Sequence, residues 1–295
     1  MKILVIGAGW FGCHIAKTFF ESGLDVTILE KEKKIFASMS GNNSNRLHRG
    51  FHYPRAQITR KQCISGFENF KKIYPFLCNK IQNNYIAIHT ESKLNFNKYI
   101  EVIKEENLNY EIADNKFSLK NIQGIIKCSE EVIDFQKASK YFLNYFKINK
   151  IKLKLNHKFD INEHYTNELI NKYNYIIDCT ACTLKKTYDT NILYEPRITL
   201  QYKSNLKNFA LMLMDGPFWS IYPQNKNIYT VGSVIHSRIS NGLNTFDEAL
   251  NVISKFGKND LKTKIKNFQM QISKDFDKFN EYFSYCGYYL SLATL

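Results

Sequence analysis

Three glycines near the start of the chain, Gly7, Gly9 and Gly12, and the acidic residue Glu30 have the types and spacing to hold a diphosphate and a ribose. Gly7 permits a tight strand-to-helix turn. Gly9 leaves the backbone open to a close anion, and Gly12 lets a helix lie close on a strand. The first N–H groups of such a helix lack partners within it, and the helix dipole adds positive potential there. Ala8, Trp10 and Phe11 complete the turn. Glu30 is placed to accept bonds from ribose hydroxyls, and its charge disfavours a 2′-phosphate, so NADP is not expected. Lys31 follows it at the ribose end.

The elements around these residues agree with that chemistry. Lys2 to Ile6 is a short apolar run, long enough for one buried strand. Cys13 to Ser22 carries Ile15, Ala16, Phe19 and Phe20 at helical spacing, and Gly23 stands where a helix stops. Asp25 to Leu29 is a second apolar strand, ended by Glu30. A lone G-x-G-x-x-G is weak evidence. Flanked by strand, helix, strand and acid, it predicts dinucleotide binding, against the plainer alternative of a glycine turn in an ordinary α/β domain.

The 295 residues suffice for one large domain or two interleaved ones, and 44% hydrophobic content fits a soluble globular chain. With no run of eighteen apolar residues, no membrane span is expected. The short apolar start runs into the glycine turn, which does not suit a signal peptide, and a cytoplasmic location is expected. The seven cysteines form no framework and read as reduced thiols. Cys179 and Cys182 make a C-x-x-C, read either as a redox pair or as two small residues at a strand end. The net charge of +14 is spread along the chain with no nucleic-acid motif, so it hints only at an anionic small-molecule substrate.

The second informative stretch runs from Ser38 to Arg55. Hydroxyl and amide residues fill its first half; Arg46, His48, Arg49, His52 and Tyr53 crowd its second. The turn G-A-G-W-F-G with Glu30, followed by S-G-N-N-S-N-R-L-H-R-G-F-H-Y-P-R, resembles the FAD-dependent oxidoreductases of the D-amino-acid oxidase (DAO) superfamily. The resemblance implies FAD as cofactor, with Ser40, Asn43, Ser44, Asn45 and Arg46 touching it and Leu47 and His48 near the flavin ring. Tyr175 to Ala181 is similar to a family strand that brings Thr180 and Ala181 near the diphosphate, although Cys182 stands where that segment often has glycine. An NAD-linked dehydrogenase would share the glycine turn; the segment from Ser40 to Arg46 favours FAD.

The resemblance implies an α/β fold: a Rossmann-type FAD-binding domain with an interleaved antiparallel β-rich substrate domain. The expected division gives 1–75 and 128–190 to the FAD-binding domain and 76–127 and 191–275 to the substrate domain. Residues 276–295 would be a return strand, shortened relative to the family, which continues into a further strand and a helix facing the flavin. Helices are expected over Gln57 to Tyr74, Leu94 to Glu106, Val132 to Phe146, Leu261 to Phe276, and from the capping box at Thr245 through Lys255.

The implied function is hydride transfer from a small amine- or hydroxyl-bearing substrate to flavin N5. A degenerate, non-catalytic dinucleotide-binding relative is the alternative. Candidate catalytic residues are His48 or His52 as proton acceptor, and Arg197 and Tyr222 as substrate contacts. A metal held by His48 and His52 is not expected, because Gly50 and Pro54 oppose a helix there and no third ligand is evident.

Overall fold

Why the chain begins with a strand buried on both faces is plain in the computed structural model, which describes residues 1–159, 169, 171–184, 192–225 and 227–295. β1 (Lys2–Ile6), α1 (Trp10–Glu21) and β2 (Asp25–Leu29) form the opening unit. Then come β3 (Arg46–Leu47), α2 (Gln57–Ile73), β4 (Cys78–Lys80), β5 (Asn83–His89), α3 (Phe96–Glu105), β6 (Tyr110–Ile112) and β7 (Ile122–Cys128). β8 (Glu131–Ile133), α4 (Phe135–Ile148), β9 (Lys152–Lys154) and β10 (Tyr175–Asp178) follow. The last part holds β11 (Tyr194–Ser204), β12 (Phe209–Met214), β13 (Trp219–Pro223), β14 (Ile228–Ser233), α5 (Phe246–Lys255), α6 (Lys258–Asp275), α7 (Phe279–Tyr282) and β15 (Phe283–Thr294).

Three sheets result. β1 lies parallel to both β2 and β10, in the order β10-β1-β2-β9. A parallel sheet is covered on both faces, which is why β1 and β2 read as continuous apolar runs. The second sheet has eight strands in the order β15-β11-β14-β13-β12-β5-β7-β6 and is mostly antiparallel. A small third sheet, β3-β8-β4, lies between them in sequence and carries Arg46. The parallel sheet draws its strands from residues 2–29 and 152–178, and the large sheet from 83–128 and 194–294, so the chain crosses between them repeatedly. The boundary expected at residue 190 lies outside the described residues.

One expectation is corrected. Val132 does not begin a helix: β8 pairs Val132 with Arg46 and Ile133 with Cys78. The β-branched Val132 and Ile133 suit a strand, and Asp134 starts α4 by accepting the Lys137 N–H at 2.9 Å. The last strand, β15, pairs antiparallel with β11 from Ser204–Phe283 to Tyr194–Thr294 in the large sheet.

The parallel sheet and its helices share a core of Ile3, Val5, Val26, Ile28, Phe36, Phe142 and Phe146. The large sheet packs Tyr202, Phe209, Trp219 and Tyr229 against Phe268, Ile272 and Phe276 of α6 and its end. Among the described residues no helix is long and apolar enough to cross a membrane.

Phe142 is fully buried among Trp10, Phe36 and Tyr74, whereas Thr245 caps an exposed helix start. Phe142→Ala should therefore cost about 3–5 kcal/mol of folding stability and Thr245→Ala about 1 kcal/mol. Urea denaturation of the two variants checks this ordering.

Candidate active site

The glycine turn is set by steric contact. Gly7 has φ +96°, and a Cβ there would lie 2.7 Å from the Cys179 carbonyl oxygen. A Cβ on Gly12 would stand 1.8 Å from the Gly7 carbonyl oxygen, so only glycine lets α1 sit this close to β1. A Cβ on Gly9 would come within 2.9 Å of Ser40 Oγ, which accepts the Trp10 N–H at 3.0 Å. Cys13 donates back to the Gly9 carbonyl at 3.0 Å, closing the first helical turn. Ahead of it, the Phe11 and Gly12 N–H groups precede any i−4 acceptor, the ordinary state of an N-terminus that can take an anion. Trp10 contributes backbone only, because its ring packs inward on Phe36 and Phe70. Phe11 turns outward and is 77% exposed.

Glu30 is buried and aimed back at this turn. One oxygen accepts the Ala8 N–H at 2.7 Å and the other the Glu32 N–H at 3.0 Å. Its neighbour Lys31 sends its ammonium over the Phe246 ring at 4.9 Å. Asp178 Oδ1 accepts both the N–H and the O–H of Thr180, at 2.8 and 2.6 Å. Ala181 and Cys182 follow with φ of +57° and +62°. That left-handed backbone gives the physical reason for glycine being common at the Cys182 position of similar segments. The Thr180–Ala181 turn thus buttresses Gly7 through Cys179.

A cavity of about 520 Å³ opens beyond the turn. Met39, Asn42, Asn43, Ser44, Arg46 and His52 line it, together with Arg197, Thr199, Met212, Trp219 and Thr230 of the large sheet and Asp215 just after β12. The Met39–Arg46 wall is shaped by its own amides. Asn43 Oδ1 accepts the Asn45 N–H at 2.5 Å, and Asn45, at φ +50°, is held by the Ile133 N–H on its carbonyl at 2.7 Å. Leu47 is buried behind this wall.

Arg46 is the centre of the wall. Its side chain is 7% exposed, its guanidinium carbon lies 3.9 Å above the Tyr222 ring, and its Nε is buried without a partner. Nη2 reaches His48 Nδ1 and His52 Nδ1 at 3.3 Å each and Met212 Sδ at 3.5 Å. A guanidinium only donates, so His48 Nδ1 accepts and its proton sits on Nε2. Burial, then the Arg46 charge and His52, lowers the His48 pKa to about 2. Burial and Arg46 lower that of His52 to about 3.

The candidate catalytic residues are therefore only partly brought together. His52 and Arg197 line the cavity, and His48 adjoins it through Arg46. Tyr222 does not: it is fully buried, lies under Arg46, and gives its hydroxyl to Glu130 at 3.4 Å. A substrate contact for Tyr222 is corrected to support of Arg46. Arg197 is partly committed, with Nε donating to Glu195 at 2.5 Å, while Arg238 holds the other Glu195 oxygen at 2.9 Å. Sequence reasoning missed Glu130, Glu195 and Asp215. Asp215 lines the cavity and is held by Arg55 at 2.6 Å. No spacing signals Glu130 or Asp215, because each meets its partners through tertiary contact, whereas Glu195 stands two residues before Arg197.

The depressed histidine pKa values have a consequence for stability. Between the unfolded value near 6.5 and the folded values, the unfolded chain binds more protons, so stability falls as pH falls. The slope per histidine is at most about 1.4 kcal/mol per pH unit. Lowering the pH from 7 to 5 should destabilise the cofactor-free protein, and a His48→Gln/His52→Gln variant should lose less over the same range. Urea midpoints at a series of pH values measure both.

Residues 2–116 match the family described as FAD dependent oxidoreductase (DAO). The FAD-dependent monooxygenase FPY4 of Fusarium mangiferae is 31% identical over 98% of this chain and 79% of its own length. Among solved structures, NikD, an unusual amino acid oxidase essential for nikkomycin biosynthesis, superposes with a TM-score of 0.70 at 11% identity, over 99% of this chain and 81% of its own. Glycine oxidase from Geobacillus kaustophilus gives 0.69 at 9% identity, over 99% and 82%. The two structures speak for the fold alone. A notch at Gly9 that a side chain would fill, an inward-aimed Glu30 and an orphaned Arg46 Nε fit such a cofactor. The chain belongs to the DAO family of FAD-dependent oxidoreductases, and its cofactor is FAD.

Proposed function

We propose that this protein oxidises a small amine- or hydroxyl-bearing substrate in the cavity lined by the Met39–Arg46 wall and the large sheet. When bound, FAD supplies the two-electron acceptor, taking a hydride from the substrate at N5. The observation that carries the reading is the cavity itself: part of its lining is the segment implied to hold the cofactor, and part belongs to a separate sheet able to hold a substrate.

The chain's own residues divide the work. The N–H groups after Gly9, with Ser40, hold the diphosphate, and Glu30 takes the ribose. Asn43, Ser44 and Arg46 line the flavin side, with Asn45, Leu47 and His48 fixing their path. Thr180 and Ala181 support the turn. Arg197 orients an anionic group on the substrate, with Glu195 setting the angle of its guanidinium. Met212, Met214 and Trp219 keep the cavity dry enough for polar contacts to count.

A general base should titrate near working pH, and His48 and His52 do not. They are neutral hydrogen-bonding groups in this reading. A substrate would then deliver its proton to water at the cavity mouth. The substrate is a small molecule, nucleic acid has no role, and seven free thiols suit a cytoplasmic setting.

The name of the FPY4 relative favours a second reading, hydroxylation of a substrate by dioxygen. The two separate by product. Oxidation releases an imine, keto acid or carbonyl product without a second reductant, whereas hydroxylation consumes NADH or NADPH and places labelled oxygen in the product.

Two outcomes are expected. FAD-loaded protein should be bleached anaerobically by a member of a panel of amino acids, N-methyl amines and 2-hydroxy acids; absence of bleaching by every class would overturn the first reading. Glu30→Ala should weaken FAD binding at least about tenfold, the scale of one lost charge-assisted bond pair, as read by equilibrium dialysis against free FAD.

A further inference from the structure

Glu130 is the most buried acid near the cavity, 1% exposed, and nothing in the reading above uses it. It lies just before β8, the strand that pairs with β3. Oε1 accepts the Arg49 N–H at 3.0 Å and lies 3.9 Å from His48 Nδ1. Oε2 accepts the Tyr222 hydroxyl at 3.4 Å and lies 4.0 Å from Arg46 Nη2. The carboxylate is thus close enough to act on the guanidinium electrostatically, yet too far to bind it.

The hydrogen-bond partners of Arg46 Nη2 among the described residues are uncharged: His48, His52 and the Met212 sulfur. A buried cation needs an anion, and an ion pair at hydrogen-bond distance would cancel most of its outward field. The 4.0 Å gap, with Glu130 Oε2 also taking the Tyr222 hydroxyl, leaves the field only partly cancelled. We propose that Glu130 is a positioning residue that sets how much positive charge the Arg46 guanidinium presents to bound FAD. This rests on the reading that Arg46 faces the flavin. The plainer role, an acceptor for the Arg49 N–H alone, predicts loss of stability and no electrostatic signature.

The test is the midpoint potential of FAD in the loaded full-length protein, measured by spectroelectrochemistry. Reduced flavin gains negative charge, so uncovering Arg46 favours it. Glu130→Gln should raise the potential by about 30 mV, a tenfold shift of a two-electron equilibrium, and Arg46→Gln should lower it by a similar amount. In the Arg46→Gln background the Glu130→Gln increment should fall by at least half, since the two act as one unit. If Glu130→Gln does not fold, Tyr222→Phe keeps the ring, frees Glu130 Oε2 to close on Arg46, and should lower the potential by a smaller amount. An unchanged potential in the folded Glu130 variant, an increment equal in both backgrounds, or an unmoved Tyr222→Phe protein where that variant is the one read, overturns the proposal. A flat response to Arg46→Gln instead overturns the placement of Arg46 against the flavin, whatever Glu130 does.

Discussion

The contact between Gly12 and the Gly7 carbonyl governs this fold. With 1.8 Å available where a Cβ would go, α1 meets β1 at a distance no other residue permits. That closeness turns the first helical N–H groups toward the strand ends and brings Ala8 within 2.7 Å of the Glu30 carboxylate. It also lets the Cys179 carbonyl close over Gly7, so β10 is locked beside β1 by the same turn. Any side chain at these positions would push the helix outward and open all three relations at once.

The second organising element is a charge. Arg46 is carried by a strand of two residues, and its buried guanidinium is balanced on an aromatic face, two neutral imidazoles, a thioether and one distant carboxylate. These partners come from three parts of the chain. Met212 and Tyr222 belong to the large sheet, Glu130 to the approach to β8, and the histidines to the loop after β3. The arginine therefore ties the wall of the cavity to the large sheet, and the histidines' own burial, then its charge, lowers both their pKa values.

Much of this was legible in the chain and some was not, for definite reasons. The glycine turn, the strands around it and the polar run from Ser38 to Arg55 are local: spacing and residue type determine them. Amphipathic helices such as Gln57–Ile73 show in their periodicity. Val132 and Ile133 misled because an apolar run ahead of a helix can be its first turn or a separate strand, and only pairing with Arg46 and Cys78 decides. Tyr222 looked like a substrate contact because an aromatic hydroxyl in a strand has two faces to choose from. Glu130 and Glu131 are adjacent acids that the sequence cannot tell apart. One is sealed beside Arg46, while the other takes an exposed-stem lysine, Lys71, at 2.7 Å.

Interleaving also governs how the chain can be assembled. β1 waits for β10, pairing Ile3 with Tyr175, and β5 waits for β12, pairing Asn83 with Phe209. Neither sheet can close until well over half of the polypeptide has left the ribosome. High contact order of this kind slows folding and leaves the early apolar strands uncovered meanwhile. The parallel sheet is therefore discontinuous in sequence: β1 and β2 complete it only with β9 and β10, beyond the first strands of the large sheet.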